Sequence, residues 1–150
     1  MRGLHSMKIN VEAIDKTKEE QIIIQCYKVT EEINEIVDFL KSRETSITAY
    51  NDSQIYNIAL QDIYYIESVD NKTFAYLQNN VYEIKNKLYE LEFIFNGKKF
   101  FRCSKSVIVN LMKIEFIKPA LNGRFVAKLK NNEEIIISRK YVSALKKILE

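Results

Sequence analysis

The sequence predicts a mainly β fold, α+β overall, preceded by a small strand–strand–helix unit. Runs of four to seven residues rich in Ile, Val, Tyr, Phe and Thr recur along residues 46–137. That composition suits a pleated, half-buried surface. Clusters of Asn, Asp and Ser interrupt the runs at short, even spacing, which fits many short antiparallel strands rather than alternating strands and helices. Only three stretches, 30–41, 86–96 and 138–149, carry apolar residues at helical spacing.

Residues 1–6 precede a second Met at position 7 and read as a tail, so His5 carries no functional weight. Residues 7–13 alternate weakly, as a strand would. A charged turn at 15–20 leads to residues 21–27, where the Ile22-Ile23-Ile24 run favours a strand. Thr30 is placed as a helix N-cap, with Glu31 and Glu32 in the first turn, where the helix dipole favours acids. Ile33, Ile36, Val37 and Leu40 then form one apolar face. A unit of about 40 residues buries too little surface to stand alone. It must pack on the rest of the chain or on a second copy, and the second case makes residues 7–45 a dimerisation element. The polar residues 42–46 are the expected boundary.

Beyond it, residues 46–50 and 54–58 flank Asn51-Asp52-Ser53 as a hairpin. Residues 63–69 and 73–78 flank Asp70-Asn71-Lys72 as a second, and Asn79-Asn80 leads on to a strand at 81–85. Asn86 is expected to cap a short helix carrying Leu88, Leu91 and Ile94 or Phe95, and Gly97 to end it. Residues 99–103 and 114–118 read as strands, the latter stopped by Pro119. Asn122-Gly123 predicts a turn at 121–123. Residues 124–130 and 134–137 pair around Asn131-Asn132. Ser138 is the expected N-cap of a last helix bearing Tyr141 or Val142, Leu145, Ile148 and Leu149.

At 150 residues and 47% apolar content, the chain can bury a real core as one domain with a small appendage. Its apolar runs are far too short to span a membrane, and no secretory signal is visible. A cytoplasmic protein is expected, with Cys26 and Cys103 as buried free thiols. No metal-ligand spacing, glycine-rich phosphate loop or nucleophile–base pair occurs, so no enzyme, metal or small-molecule cofactor is expected.

The net charge is only +3 but is unevenly placed. Residues 1–45 hold 7 Lys and Arg against 9 Asp and Glu, whereas residues 98–147 hold 13 against 3. So local an excess is the footprint of a polyanion binder; the alternative is a solvated basic face with no partner. Within it lies Phe100-Phe101-Arg102-Cys103-Ser104-Lys105-Ser106-Val107-Ile108-Val109-Asn110. Cations and hydroxyls at a strand end can bond a phosphate or a guanine edge, and the loose geometry of Lys leaves both open. Alternatively Ser106 caps a short helix and the cations are only solvated. Asn110 reads as a group that satisfies buried backbone. Arg139 and Lys140 stand at a helix N-terminus, where the dipole disfavours cations; a bound phosphate there would offset the penalty. Tyr64, Tyr65, Tyr76 and Tyr82 read as packing, with a stacking platform for single strands as the alternative.

Residues 47–150 resemble the LytTR family of bacterial DNA-binding output domains. Three ordered segments carry the resemblance: Asp62-Ile63-Tyr64-Tyr65-Ile66-Glu67-Ser68, the stretch 101–111 with Arg102-Cys103-Ser104-Lys105-Ser106, and Ile137-Ser138-Arg139-Lys140-Tyr141. The resemblance implies an elongated stack of short antiparallel sheets with small helices, whose loops enter successive major grooves of double-stranded DNA. It implies contacts near Lys72 and Thr73, at Lys105 flanked by Arg102, Ser104 and Ser106, and at Arg139 and Lys140. Ser104 stands where many members have His. The receiver domain that many members carry does not fit into the 45 residues ahead of position 46. The expectation is therefore a transcriptional regulator without an in-chain receiver, a homodimer on promoter repeats about one helical turn apart. The alternative is a protein-interaction or RNA-binding module on the same scaffold.

Overall fold

Asp and Asn make the turns that this glycine-poor chain needs. The computed structural model describes residues 6–43, 46–95 and 98–150. Among them, every non-glycine residue at positive φ is Asp52, Asp70, Asn71, Asn122 or Asn132. These side chains tolerate the left-handed region best after glycine. Asp70 and Asn71, at φ 50° and 64°, form a two-residue turn between β3 (Tyr65–Val69) and β4 (Lys72–Tyr76), with Val69 opposite Lys72. Both central residues at positive φ give the hairpin turn whose twist matches its strands.

The chain divides into two units, Met1–Val37 and Asp38–Glu150. The division falls inside α1 (Glu31–Arg43). The boundary expected at 42–46 includes Glu44 and Thr45, which lie outside the described residues, as do the tail residues 1–5 and the helix end expected at Gly97. In the first unit, the Thr30 hydroxyl accepts from the Ile33 amide at 3.3 Å and caps α1 as expected. The two strands expected at 7–13 and 21–27 are absent: residues 7–29 hold no strand. Ile9 and Val11 are both 90% exposed, and Ile22 and Ile23 are exposed too. A β-branched run becomes a strand only beside a hydrogen-bonding neighbour, and neither sheet among the described residues includes these segments. Cys26 is likewise exposed rather than buried.

In the second unit a seven-stranded antiparallel sheet combines β3 and β4 with β1 (Ser46–Asn51), β2 (Gln54–Ala59), β5 (Val81–Ile84), β6 (Phe100–Arg102) and β7 (Val107–Asn110). Its order is β2-β1-β5-β4-β3-β7-β6. A second sheet has the order β10-β9-β8, from β8 (Ile114–Pro119), β9 (Phe125–Leu129) and β10 (Glu134–Ile137). Between the sheets' strands come α2 (Leu88–Ile94) and, at the end, α3 (Arg139–Leu149). Lys87, not Asn86, is the N-cap of α2: its amide donates to Glu90 Oε1 at 2.8 Å. The helix shows its apolar side through Leu88, Leu91 and Phe95, while Ile94 is exposed. Among the described residues no helix is long and apolar enough to cross a membrane.

Two hydrophobic cores result. The first joins Ile58, Leu60, Ile63, Ile66 and Ile108 to Leu88, Leu91 and Phe95. The second joins Tyr64, Cys103, Val107 and Val109 to Ala127, Leu129, Ile135, Ile137, Val142 and Leu145. Alternation along β7 therefore sends Ile108 into one core and its neighbours into the other. Asn110 closes the strand at 3% exposure. Its Nδ2 donates to the Ile63 carbonyl at 2.8 Å, and its Oδ1 accepts from the Met112 amide at 3.0 Å.

Replacing Asn110 with Leu leaves one buried carbonyl and one amide without partners, a loss of about 2 kcal/mol. The urea midpoint of Asn110→Leu should fall accordingly; an unchanged midpoint would remove this role.

Candidate nucleic-acid interface

Three cation-bearing segments meet through main-chain hydrogen bonds. The first is the β3–β4 turn with Lys72. The second is the loop 103–106, and the third begins at Ser138 and opens α3 with Arg139 and Lys140. The Ser68 amide, at the end of β3, donates to the Ser106 carbonyl at 2.8 Å. The Ser138 amide donates to the Cys103 carbonyl at 2.9 Å. The loop is thus tied on one side to the strand that enters the first turn and on the other to the start of α3.

The loop is short because Cys103 and Val107 bridge it: the Cys103 amide donates to the Val107 carbonyl at 3.0 Å. Within it, the Ser106 amide donates to Ser104 Oγ at 3.3 Å. Ser106 opens no helix; β7 follows it. Arg102 Nε donates to the Ser104 carbonyl at 2.7 Å, and its two terminal nitrogens donate to the Lys105 carbonyl and the Glu92 carboxylate. Lys105 points away into solvent. Burial pushes the Cys103 thiol up to about 12, so it stays protonated.

Lys72 is exposed, but Thr73 beside it is 3% exposed. Alternation on β4 turns Thr73 inward, so of the two residues expected at a contact there, Lys72 is exposed and Thr73 is buried. The Asn71 carbonyl of that turn accepts from Lys87 Nζ at 3.4 Å.

Arg139 and Lys140 are exposed on the first turn of α3. Ser138 holds the N-cap position with extended backbone, but its hydroxyl makes no cap bond, and no acid stands in the first turn. The helix end keeps its positive dipole and adds two cations to it. Gly123, at φ +74°, lies under Arg139: a Cβ built there would come within 2.9 Å of Arg139 Cδ. The 121–123 turn therefore seats the Arg139 stem, and exposed Arg124 follows it directly. Among the described residues, Lys72, Lys105, Arg124, Arg139 and Lys140 enter none of the ion pairs, which involve Lys85, Lys99, Arg102 and Lys128.

Sequence reasoning missed Glu92, Gly123, Arg124 and Lys87. Asn122-Gly123 signalled a turn but not what rests on it, and nothing local links Glu92 to Arg102. The tyrosines offer no open platform: Tyr65 and Tyr76 stack on each other at 4.4 Å, Tyr64 sits in the second core, and Tyr82 lies 4.9 Å from Tyr56. Burial, and then the Glu133 carboxylate, hold the Tyr65 phenol above its ordinary range.

A family profile described as the LytTr DNA-binding domain matches residues 53–150. The transcriptional regulatory protein YpdB of Escherichia coli K12 is 30% identical over 105 residues, covering 69% of this chain and 43% of that protein. The uncharacterized HTH-type transcriptional regulator SAS2254 of Staphylococcus aureus MSSA476 is 30% identical over 145 residues, 95% of this chain and 98% of that one. The chain thus spans less than half of YpdB but nearly all of SAS2254. A solved LytTr DNA-binding domain from Bacillus cereus superposes with a TM-score of 0.66 at 27% identity, over 70% of this chain and 96% of that one. Its fold is the one described above, and with the profile match it shows that the chain belongs to the LytTR family of DNA-binding domains.

Proposed function

We propose that the chain is a transcriptional regulator that binds double-stranded DNA of specific sequence in the bacterial cytoplasm. One observation carries this reading: main-chain bonds tie the 103–106 loop to β3, which leads into the Lys72 turn, and to the start of α3, and among the described residues Lys72, Lys105 and Arg139 enter no ion pair. Lys72, Lys105, Arg139 and Lys140 reach the DNA, and Ser104 and Ser106 shape the loop between them. Family membership supports DNA as the partner, and the names of YpdB and SAS2254 support regulation. No two α-helices are consecutive among the described residues. This favours loops, rather than a helix-turn-helix, as the parts that enter successive grooves. The free N–H groups at the start of α3 suit a phosphate, and the cations beside them would be stabilised by one.

We further propose that residues 7–45 join two copies, so that the dimer spans repeated half-sites. The exposed Ile9, Val11, Ile22, Ile23 and Tyr27 support this. An apolar stretch of that kind is a mark of an interaction surface.

Binding is read by mobility shift on genomic promoter fragments at several salt concentrations, and should weaken steeply as salt rises. Equal binding to promoter and random duplex would overturn the specific reading. Lys105→Ala should weaken the preferred complex by about 1–3 kcal/mol. A loss confined to the preferred site marks a base contact; an equal loss everywhere, with the salt slope reduced by about one, marks a phosphate contact. Unchanged binding would remove Lys105 from the interface. Gly123→Ala strains a left-handed residue at about 1–2 kcal/mol and displaces the Arg139 stem. It should therefore lower both the melting temperature and DNA affinity, whereas loss of stability with affinity intact would free Arg139 from its role. Sedimentation at micromolar concentration should find a dimer; a monomer with and without DNA sinks the dimer proposal.

A further inference from the structure

We infer that Glu92 and Arg102 form a clamp that sets the DNA-reading loop, so that Arg102 positions Lys105 instead of touching DNA, and an acidic residue supports DNA binding. The inference rests on the DNA reading of the loop given above.

The guanidinium carries its N–H donors in a rigid planar fork. Here all three nitrogens have protein acceptors: Nε the Ser104 carbonyl at 2.7 Å, Nη2 the Lys105 carbonyl, Nη1 the Glu92 carboxylate. Its side chain is only 22% exposed. Three of its five N–H donors are thereby committed, so a phosphate could take only the one remaining N–H of each terminal nitrogen, and the fork cannot turn toward DNA without breaking these bonds. Two carbonyls of successive loop residues held by one cation fix the backbone at 104 and 105, and with it the direction in which Lys105 leaves. Charge-assisted bonds of this kind are about twice as strong as neutral ones.

Glu92 completes the fork from a separate element. Leu88, Leu91 and Phe95 anchor its helix in the first core. The carboxylate therefore comes from a fixed support, the condition for holding a binding group in place.

The sign of the effect separates this role from its rivals. An acid near a DNA-binding loop should oppose binding through its field. If Glu92 were a bystander, or if it masked Arg102 from phosphate, its removal would tighten binding. The clamp requires the reverse.

The test uses the full chain with Glu92→Gln, Arg102→Ala and, as a charge control on β8, Glu115→Gln. Fluorescence anisotropy is recorded on a preferred duplex and a random duplex over a salt series, with thermal unfolding alongside. For Glu92→Gln, which keeps an oxygen acceptor but removes its charge, affinity for the preferred duplex should fall roughly fivefold, the difference between a charge-assisted and a neutral hydrogen bond. Affinity for random duplex and the melting temperature should hold, and Glu115→Gln should lose nothing. Arg102→Ala should lose preferred-site affinity with the salt slope unchanged. Tighter binding by Glu92→Gln, an equal loss on both duplexes, or a slope reduced by about one in Arg102→Ala would each overturn the clamp. Without DNA, amide exchange at Ser106 and at Ser68, whose N–H groups donate within the loop and onto it, should quicken in Glu92→Gln. Unchanged exchange overturns the clamp whatever the DNA result, whereas quickened exchange in a protein with no sequence preference supports the clamp and refutes the DNA reading.

Discussion

The larger unit depends on a strand that water reaches from neither side. Val107, Ile108, Val109 and Asn110 are all buried. Ile108 belongs to the core that contains α2, and Val107 and Val109 belong to the core with the second sheet and α3. A slip of one residue would exchange these faces and put side chains of the wrong shape into two close-packed cores at once. Register on β7 is therefore fixed from both sides. Asn110 fixes its end as well, because its amide group serves the backbone at Ile63 and Met112. The loop 103–106 enters directly into this strand, so the place where its cation emerges follows from the cores.

Cations fall into two kinds on this surface. Arg102 is committed to a carboxylate and two carbonyls, and Lys128 and Lys99 each sit near an acid. Lys72, Lys105, Arg124, Arg139 and Lys140 are exposed and, among the described residues, enter none of the ion pairs. The second kind contributes little to stability, since even paired surface charges are worth about 0–1 kcal/mol. Arg139 and Lys140 are locally unfavourable, at a positive helix end without a side-chain cap. Arg139 rests its stem on the Gly123 turn and Lys140 Nζ lies 5.1 Å from the centre of the Tyr141 ring, so packing holds two charges at a helix end whose dipole disfavours them.

Much of this was legible because hairpins are encoded locally. Asp70-Asn71, Asn122-Gly123 and Asn131-Asn132 specify turns by their own backbone preferences, and the flanking apolar runs then find their partners. Asn110 was legible too, as a polar residue closing an apolar run. The segments at 7–13 and 21–27 were not, because strand composition describes fitness for a sheet and cannot say whether a neighbour is present. Thr73 failed through parity: one position along β4 separates an exposed Lys72 from a buried hydroxyl. The contact between Arg102 and Glu92 was not legible because of distance. A helix end and a strand intervene in the chain, and only the tertiary fold brings the carboxylate to the guanidinium.

The bonds that gather the contact segments are main-chain bonds: Ser68 N–H to Ser106 O, and Ser138 N–H to Cys103 O. Apart from proline on the donor side, any residue could make them. The frame is thus held by backbone and by buried side chains such as Cys103 and Val107, while the exposed Lys105 adds little to it. Ser104 belongs to the frame as well, since its hydroxyl accepts from the Ser106 amide at 3.3 Å and braces the loop. A scaffold with its positions fixed by backbone and its chemistry carried by exposed side chains can change what its surface presents one residue at a time, without refolding the parts that hold those residues in order.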